Sequence, residues 1–274
     1  MRYAVNCSIL FTELPLLERP AAAAAAGFGA VEFWWPFDQA VPPDAEVTAF
    51  ERAVTDAGVA LIGLNFCAGD MPGGDRGLVS WPARAAEFRD NIDATIGIGE
   101  RLGCRAFNAL YGNRVDGATP AEQDELATEN LALAAAAADR IGATVLVEPV
   151  SGAPRYPLRT AADVLAVIDR VGAGNVAMLA DLYHLAVNGD DVDAVVAAHA
   201  GRIAHVQIAD APGRHEPGTG SLDLDGLLGK LASGGYAGWV ACEYTPSGAS
   251  EDSFGWLPRE QRSQYWGGKN GGTR

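Results

Sequence analysis

Four polar residues stand where apolar runs end in the second half of the chain: Glu148 in VLVEPV, Asp181 in MLADLY, Gln207 in HVQIAD and Glu243 in VACEYT. A carboxylate in such a run, once turned inward, is costly to bury unless it is neutralised or bound to a cation. Three carboxylates and an amide oxygen brought together conflict, and a divalent ion resolves the conflict. All four groups offer oxygen, with no thiolate or imidazole in the set, which favours Mg2+ or Mn2+ over zinc. Any one of them alone could equally cap a helix or pair with an arginine. Four consecutive runs ending alike point instead to a shared site. Glu148 and Glu243 bracket the set and are candidates for a paired acid and base, with Asp181 and Gln207 as purely structural ligands between them.

A metal flanked by two glutamates suits a proton shift beside a carbonyl, one Glu removing the proton from carbon and the other returning it at the neighbouring carbon. No Ser-His-Asp order and no phosphate-cradling Gly loop offers a competing mechanism. His184 follows Asp181 by three residues and points into the same pocket or into the loop above it. Arg214 follows Gln207 by seven residues in a Gly/Pro loop, within reach of an anionic substrate as a bidentate partner. In that loop Glu216, with Pro217 and Gly218, is expected to shape the chain beside it, and Glu216 is counted with His184, Arg214, Asn65 and Asn108 among the substrate-binding candidates. Asn65 and Asn108, with Asn6 and Glu32, end or nearly end the first four apolar runs and are candidates to hydrogen-bond a hydroxylated ligand. Asn also favours such positions for turn reasons. Trp34 and Trp35 either wall the pocket or pack in the core.

The elements that must position these residues are legible as eight short apolar runs, at 3–9, 30–35, 60–66, 106–112, 144–150, 176–184, 203–210 and 239–245. Between them lie longer stretches with helical spacing, such as WPARAAEFRDNIDATIGIGERLG and TPAEQDELATENLALAAAAADRIG. Several begin at Thr or Thr-Pro, and Gly103, Gly142 and Gly172 each close one. Eight strands alternating with helices are what a (β/α)8 TIM barrel requires, with the chemistry at the C-terminal ends of the strands. A faint echo relates GFGAVEF (27–33) to GYAGWVACEY (235–244), each a helix end feeding a strand. No linker divides the chain, so a single domain over 1–260 is expected, followed by a poorly ordered Gly-rich tail over 261–274. An open doubly wound sheet is the alternative, but no G-x-G-x-x-G follows the first strand.

Composition narrows the partners. With 20 basic and 35 acidic residues among 274, the net charge is −15, which disfavours nucleic acid and anionic membranes. The four cysteines are scattered in apolar runs with no C-x-x-C pair, as buried thiols in a reducing compartment would be. The N-terminus has no signal-peptide pattern, and the Ala21–Ala26 run is too short to span a bilayer. A soluble, cytoplasmic protein is expected, with a small-molecule substrate.

The motifs VEFWWPFD, CAGD…RG, VEPV, ADLYH, VQIADAPGRHEPGTG and GWVACEY resemble those of the hydroxypyruvate isomerases, within the xylose isomerase-like group of TIM-barrel sugar isomerases and epimerases. The likeness runs from Asn6 and Ser8 to about Tyr244. It implies interconversion of hydroxypyruvate and 2-hydroxy-3-oxopropanoate (tartronate semialdehyde), with Glu148 and Glu243 as proton donor and acceptor. It also implies a divalent metal on Glu148, Asp181, Gln207 and Glu243, and substrate contact at His184. Related ketose epimerases generally carry His at the position of Gln207, so Gln207 points to the hydroxypyruvate isomerase branch. The chain departs from many relatives at Leu64 and Cys67, and after VEP at VSGAPRYP, which brings in Arg155. Those segments would hold the substrate beyond its reacting carbons. The branch includes isomerases of 2-oxo-tetronates, which with a ketose 3-epimerase and a non-catalytic sugar-acid sensor form the alternatives. Apurinic endonucleases share the barrel group but need several metals, more His ligands and a basic face, against four His and a charge of −15 here. Barrels of this group often pair, so a homo-oligomer is compatible with the resemblance.

Overall fold

Parallel strands covered on both faces need apolar residues at every position, which is why the eight runs are near-continuous rather than alternating. In the computed structural model, which describes residues 1–263, all eight form strands. The order is β1 (Arg2–Asn6), α1 (Arg19–Ala25), β2 (Ala30–Phe33), α2 (Asp44–Asp56), β3 (Ala60–Asn65), α3 (Ala85–Leu102), β4 (Ala106–Asn108), α4 (Pro120–Asp139) and β5 (Thr144–Val147). There follow α5 (Ala161–Val171), β6 (Val176–Asp181), α6 (Leu182–Asn188), α7 (Val192–His199), β7 (Ile203–Ile208), α8 (Leu224–Ser233), β8 (Trp239–Cys242) and α9 (Arg259–Arg262). The strands pair in chain order and close into a barrel, β8 running parallel to β1. The two echoed segments feed β2 and β8, which flank β1 on either side. Of the expected Gly-rich tail, residues 264–274 lie outside the described residues, and Gln261 and Arg262 complete α9.

Local chemistry sets the helix limits. Thr119 and Glu122 form a reciprocal capping box with Pro120 in the first turn of α4, and Thr160 does the same with Asp163 for α5. Gly103 and Gly172 stop α3 and α5 in the left-handed conformation, at φ 75° and 67°, where a Cβ would be strained. The strands are shorter than the apolar runs, and β6 shows why. Asp181 Oδ1 accepts the N–H groups of Tyr183 and His184, at 2.9 and 3.1 Å, so the chain turns into α6 rather than continuing to His184.

Inside the barrel the strand period of two sorts the layers. Ala4, Ala30 and Ala241 fill the N-terminal end with Ile62, and Arg2 stacks on Trp239 there at 4.6 Å. Two residues further along the same strands come Asn6, Glu32 and, just past β8, Glu243, all buried. The interior therefore changes from alanine to carboxylate within one strand repeat. The outward-facing residues pack against the helices, as where Phe66 meets Phe88 of α3 edge-on at 5.6 Å. That apolar shell makes the polar upper layer rigid.

Candidate active site

Glu32 is the centre of the buried polar layer. Its Oε1 accepts from Asn6 Nδ2 at 2.9 Å and from Gln207 Nε2 at 2.7 Å, and its Oε2 meets His205 Nε2 at 2.6 Å. Burial alone would raise its carboxyl, but the His205 imidazole and the two amides outweigh that and hold it below the ordinary value. Gln207 Nε2 also donates to Glu243 Oε2, which receives Asn6 Nδ2 at 2.8 Å as well. With the amide nitrogen facing two carboxylates, Gln207 Oε1 is turned away from them and has no hydrogen-bond partner among the described residues.

Around that layer the other groups converge. Asn108 Nδ2 donates to Glu148 Oε1 at 2.6 Å. Asp181, tied through Oδ1 to the start of α6, leaves Oδ2 buried and without a hydrogen-bond partner among the described residues. Glu148, Asp181 and His184 bring one ligand-type atom each within 4.8 Å of one another, a cluster that could hold a metal ion. Desolvation, with the nearby Asp181 charge, pushes Glu148 up to about 8 although Asn108 pulls it down. Glu243 is raised well above the ordinary carboxylate range by burial and by the charges of Asp181, Glu32 and Glu148, against the pull of Arg214. Orphaned oxygens on Asp181 and Gln207, beside carboxyls that resist ionisation, are the mark of a site suited to a divalent cation.

His184 is better placed as a donor than as a ligand. The backbone N–H of Ser151 donates to its Nδ1 at 3.0 Å, and the Ser151 hydroxyl lies 2.7 Å from the same atom. An Nδ1 that accepts a backbone N–H puts the proton of the neutral ring on Nε2, 3.5 Å from Asp181 Oδ2. Burial favours that neutral ring, lowering its pKa. Nε2–H is then a donor and has no lone pair for a metal.

A cavity of about 810 Å3 opens above these groups. Glu148 and Glu243 reach its floor, and Trp34, Trp35, Asn65, His184 and Arg214 line its sides. Asp181, Gln207 and Asn108 lie buried beneath. The loop after β7 aims Arg214 inward. Asp210, itself buried, accepts the N–H groups of Ala211, Gly218, Gly220 and Leu222 at 2.8–3.0 Å, which wires the loop shut and lowers its own pKa. Arg214 sits at φ 58°, a strained conformation for a residue with a side chain, held by its N–H to Asp210 O and its carbonyl to Thr245 N. Its Nη2 meets Glu243 Oε1 at 2.8 Å, and its Nε is buried without a hydrogen-bond partner among the described residues.

Glu216 stands apart from the cavity lining, and its carboxylate accepts Ser247 N–H at 3.0 Å, joining two loops. Arg155 pairs with Asp116 on the surface, whereas Cys67, Val150 and Ser151 of the divergent segments do line the cavity. Sequence reasoning missed the His205–Glu32 pair and the Ser151–His184 contact. For His205 the available signal was parity, since it lies two residues before Gln207 on one face of β7.

The closed eight-stranded barrel carries buried carboxyl and amide groups at its C-terminal mouth, as expected of a sugar isomerase-like barrel, and comparison with known proteins agrees. The profile of the xylose isomerase-like TIM barrel family matches residues 20–260, and the chain belongs to that family. Within it, the chain is 58% identical over 271 residues to a "putative hydroxypyruvate isomerase" of Streptomyces coelicolor, covering 96% of this chain and 97% of that one. It is 37% identical to a 2-oxo-tetronate isomerase of Cupriavidus necator, over 93% of this chain and 97% of the relative. The hydroxypyruvate isomerase of Escherichia coli is 33% identical, over 94% and 98%. Among solved structures, an AP endonuclease, family 2, from Brucella melitensis superposes with a TM-score of 0.85 at 36% identity, over 93% and 97% of the two chains.

Proposed function

We propose that this protein is a metal-assisted aldose–ketose isomerase that interconverts hydroxypyruvate and 2-hydroxy-3-oxopropanoate. The observation that carries the reading is the pair of buried glutamates on the cavity floor, with Glu148 pushed up to about 8 and Glu243 raised likewise. Raised carboxyls hold their protons more tightly than free ones, which suits a general acid and base. Glu148, Asp181, Gln207 and Glu243 would hold the metal, and their all-oxygen set supports Mg2+ or Mn2+. When bound, a divalent ion there supplies Lewis acidity to adjacent carbonyl and hydroxyl oxygens.

The chain's own residues do the rest. One glutamate takes the proton from C3 of hydroxypyruvate and the other delivers a proton to C2, while the C3 hydroxyl gives up its proton and the C2 oxygen gains one, so that the hydroxyl becomes the aldehyde and the ketone the new hydroxyl. His184 Nε2–H and the unpartnered Nε of Arg214 are donors for substrate oxygens, and Asn65 lines the wall beside them. Asn108 orients Glu148, and Asn6, Gln207 and Arg214 orient Glu243. Glu216 contributes at one remove, by fixing the loop that carries Arg214.

A 2-oxo-tetronate, one carbon longer, is the second reading, favoured by a cavity of about 810 Å3 and by the Cupriavidus relative. Ketose 3-epimerisation has less support, because Gln207 replaces the epimerases' His and cationic side chains line the cavity. A net charge of −15 argues against the nuclease activity named for the Brucella protein. A non-catalytic sensor would have no use for a paired acid and base. Four free buried cysteines support a cytoplasmic setting, and no helix among the described residues is long and apolar enough to cross a membrane. The test is proton NMR of metal-loaded protein in D2O with hydroxypyruvate, a 2-oxo-tetronate and fructose in turn. Aldehyde formation from hydroxypyruvate is expected, and conversion of fructose alone would replace this reading with the epimerase.

A further inference from the structure

Four arginines line the cavity, and their partners separate them. Arg84 is committed to carboxylates, Nε and Nη2 holding Glu87 at 2.7 and 2.6 Å and Nη1 holding Asp75 at 2.8 Å. Arg214 is paired with Glu243 and faces Asp181 Oδ2 at 4.0 Å. Arg19 donates to the carbonyls of Leu14 and Cys7, and its charge acts on Glu13 and Cys7 at the start of the barrel. Arg76 differs from all three. Only its Nη1 is used, donating to the carbonyls of Met71 and Asp75 at 2.9 and 2.6 Å. No carboxylate among the described residues lies within ion-pair distance of it. Its Nε–Nη2 edge, whose two parallel N–H groups match the spacing of a carboxylate, has no acceptor among the described residues.

The position is built rather than loose. Gly77, next in the chain, sits at φ 110° with its N–H on Ala68 O, and a Cβ there would fall 1.9 Å from Leu110 O. Only glycine lets this segment lie so close to the chain leaving β4, and the two carbonyl bonds then fix the guanidinium. Arg76 lines the same cavity as Glu148, His184 and Glu243.

The lining asks for such a group. Glu148 and Glu243 on the cavity floor, with Glu32 and Asp181 buried beneath, are acidic, and Arg84 and Arg214 are already paired with carboxylates. A substrate carboxylate needs a cation not already committed, because repulsion between like charges strengthens with burial. We propose that Arg76 is the specificity-determining residue that receives the substrate carboxylate on its Nε–Nη2 edge, so that the cavity selects keto acids over uncharged ketoses. This rests on the isomerase reading above and names the group that selects its substrate class.

The experiment compares wild type, R76Q and R76K, each loaded with Mn2+. It uses hydroxypyruvate and dihydroxyacetone, in which CH2OH replaces the carboxylate. Steady-state rates are measured with hydroxypyruvate, and dissociation constants for both compounds by calorimetry. R76Q is expected to raise KM and Kd for hydroxypyruvate about 10- to 100-fold, the scale of a lost charge-assisted bidentate contact. It should change kcat by only a few fold, and R76K should recover part of the loss. Binding of dihydroxyacetone and of Mn2+ should be the same in R76Q and wild type. An unchanged Kd for hydroxypyruvate in R76Q, or an equal loss for both compounds, would overturn the proposal. If wild type binds hydroxypyruvate without converting it, the isomerase reading fails, and the Kd comparison still decides the role of Arg76.

Discussion

Glu148 and Glu243 each follow the last residue of a strand, β5 and β8, and are almost equally buried, at 6% and 4% exposure. Their surroundings differ. Glu148 has one side-chain donor, Asn108, and its second oxygen is unengaged on the cavity side. Glu243 has three, from Asn6, Gln207 and Arg214, and the first two are themselves bonded to Glu32. The β8 side of the mouth is a fixed network running through the barrel to His205, whereas the β5 side is a single carboxyl on a short tether. The same residue type at equivalent places in the fold is held rigid in one case and left accessible in the other. Neighbours from distant strands decide which.

The sharpest way to break this comparison is to cut the network at its centre. Glu32→Gln removes the charge opposite His205 and frees the Gln207 amide to turn, so Mn2+ affinity should fall about 10- to 100-fold, as for other groups that orient metal ligands. Asn108→Ala should lower it by under about tenfold on the same scale. Mn2+ titrations of both proteins check the contrast, and equal losses would erase it. Asn108→Ala has a second signature. Asn108 pulls the Glu148 carboxyl down, so its removal should move the Glu148-controlled limb of the kcat/KM profile to higher pH.

A smaller effect follows from the raised Glu148. Its folded value, about 8, lies above its unfolded one, so between the two the folded state binds more protons. Stability of the metal-free protein is therefore favoured in acid and declines as pH rises through the ordinary carboxylate range towards 8. Thermal melts with and without Mn2+ across that range check it, the decline being expected only without metal. A metal-free Tm that climbs over the same interval would contradict the sign.

Much of the fold was legible because strands buried on both faces read as apolar runs, and all eight are where those runs lie. Their ends were not. The run at 106–112 outlasts β4, which stops at Asn108, because apolar loop residues such as Leu110 and Tyr111 continue into the core. The run at 176–184 contains the turn that Asp181 caps. The four strand-end oxygens could be picked out because a polar group in an apolar run is conspicuous. Glu32 and His205 were harder, since they meet across 173 positions and Glu32 takes its other donors from Asn6 and Gln207 on two further strands. Ser151 gave no signal, because a backbone N–H acts there and any residue has one. Glu216 was grouped with the substrate contacts by its place in the loop, and only the fold shows its carboxylate turned to Ser247.

The account stands most directly on the claim that the two glutamates share one proton shift. Hydroxypyruvate in D2O, followed by proton NMR with metal-loaded E148Q and E243Q, tests it. Both variants should lose aldehyde formation by about a thousandfold, a magnitude usual for a lost acid–base group. The variant that retains the base facing C3 should still wash the C3 hydrogen into solvent, and the other should not. Aldehyde formation at near wild-type rate in either variant, with metal bound, would contradict the account.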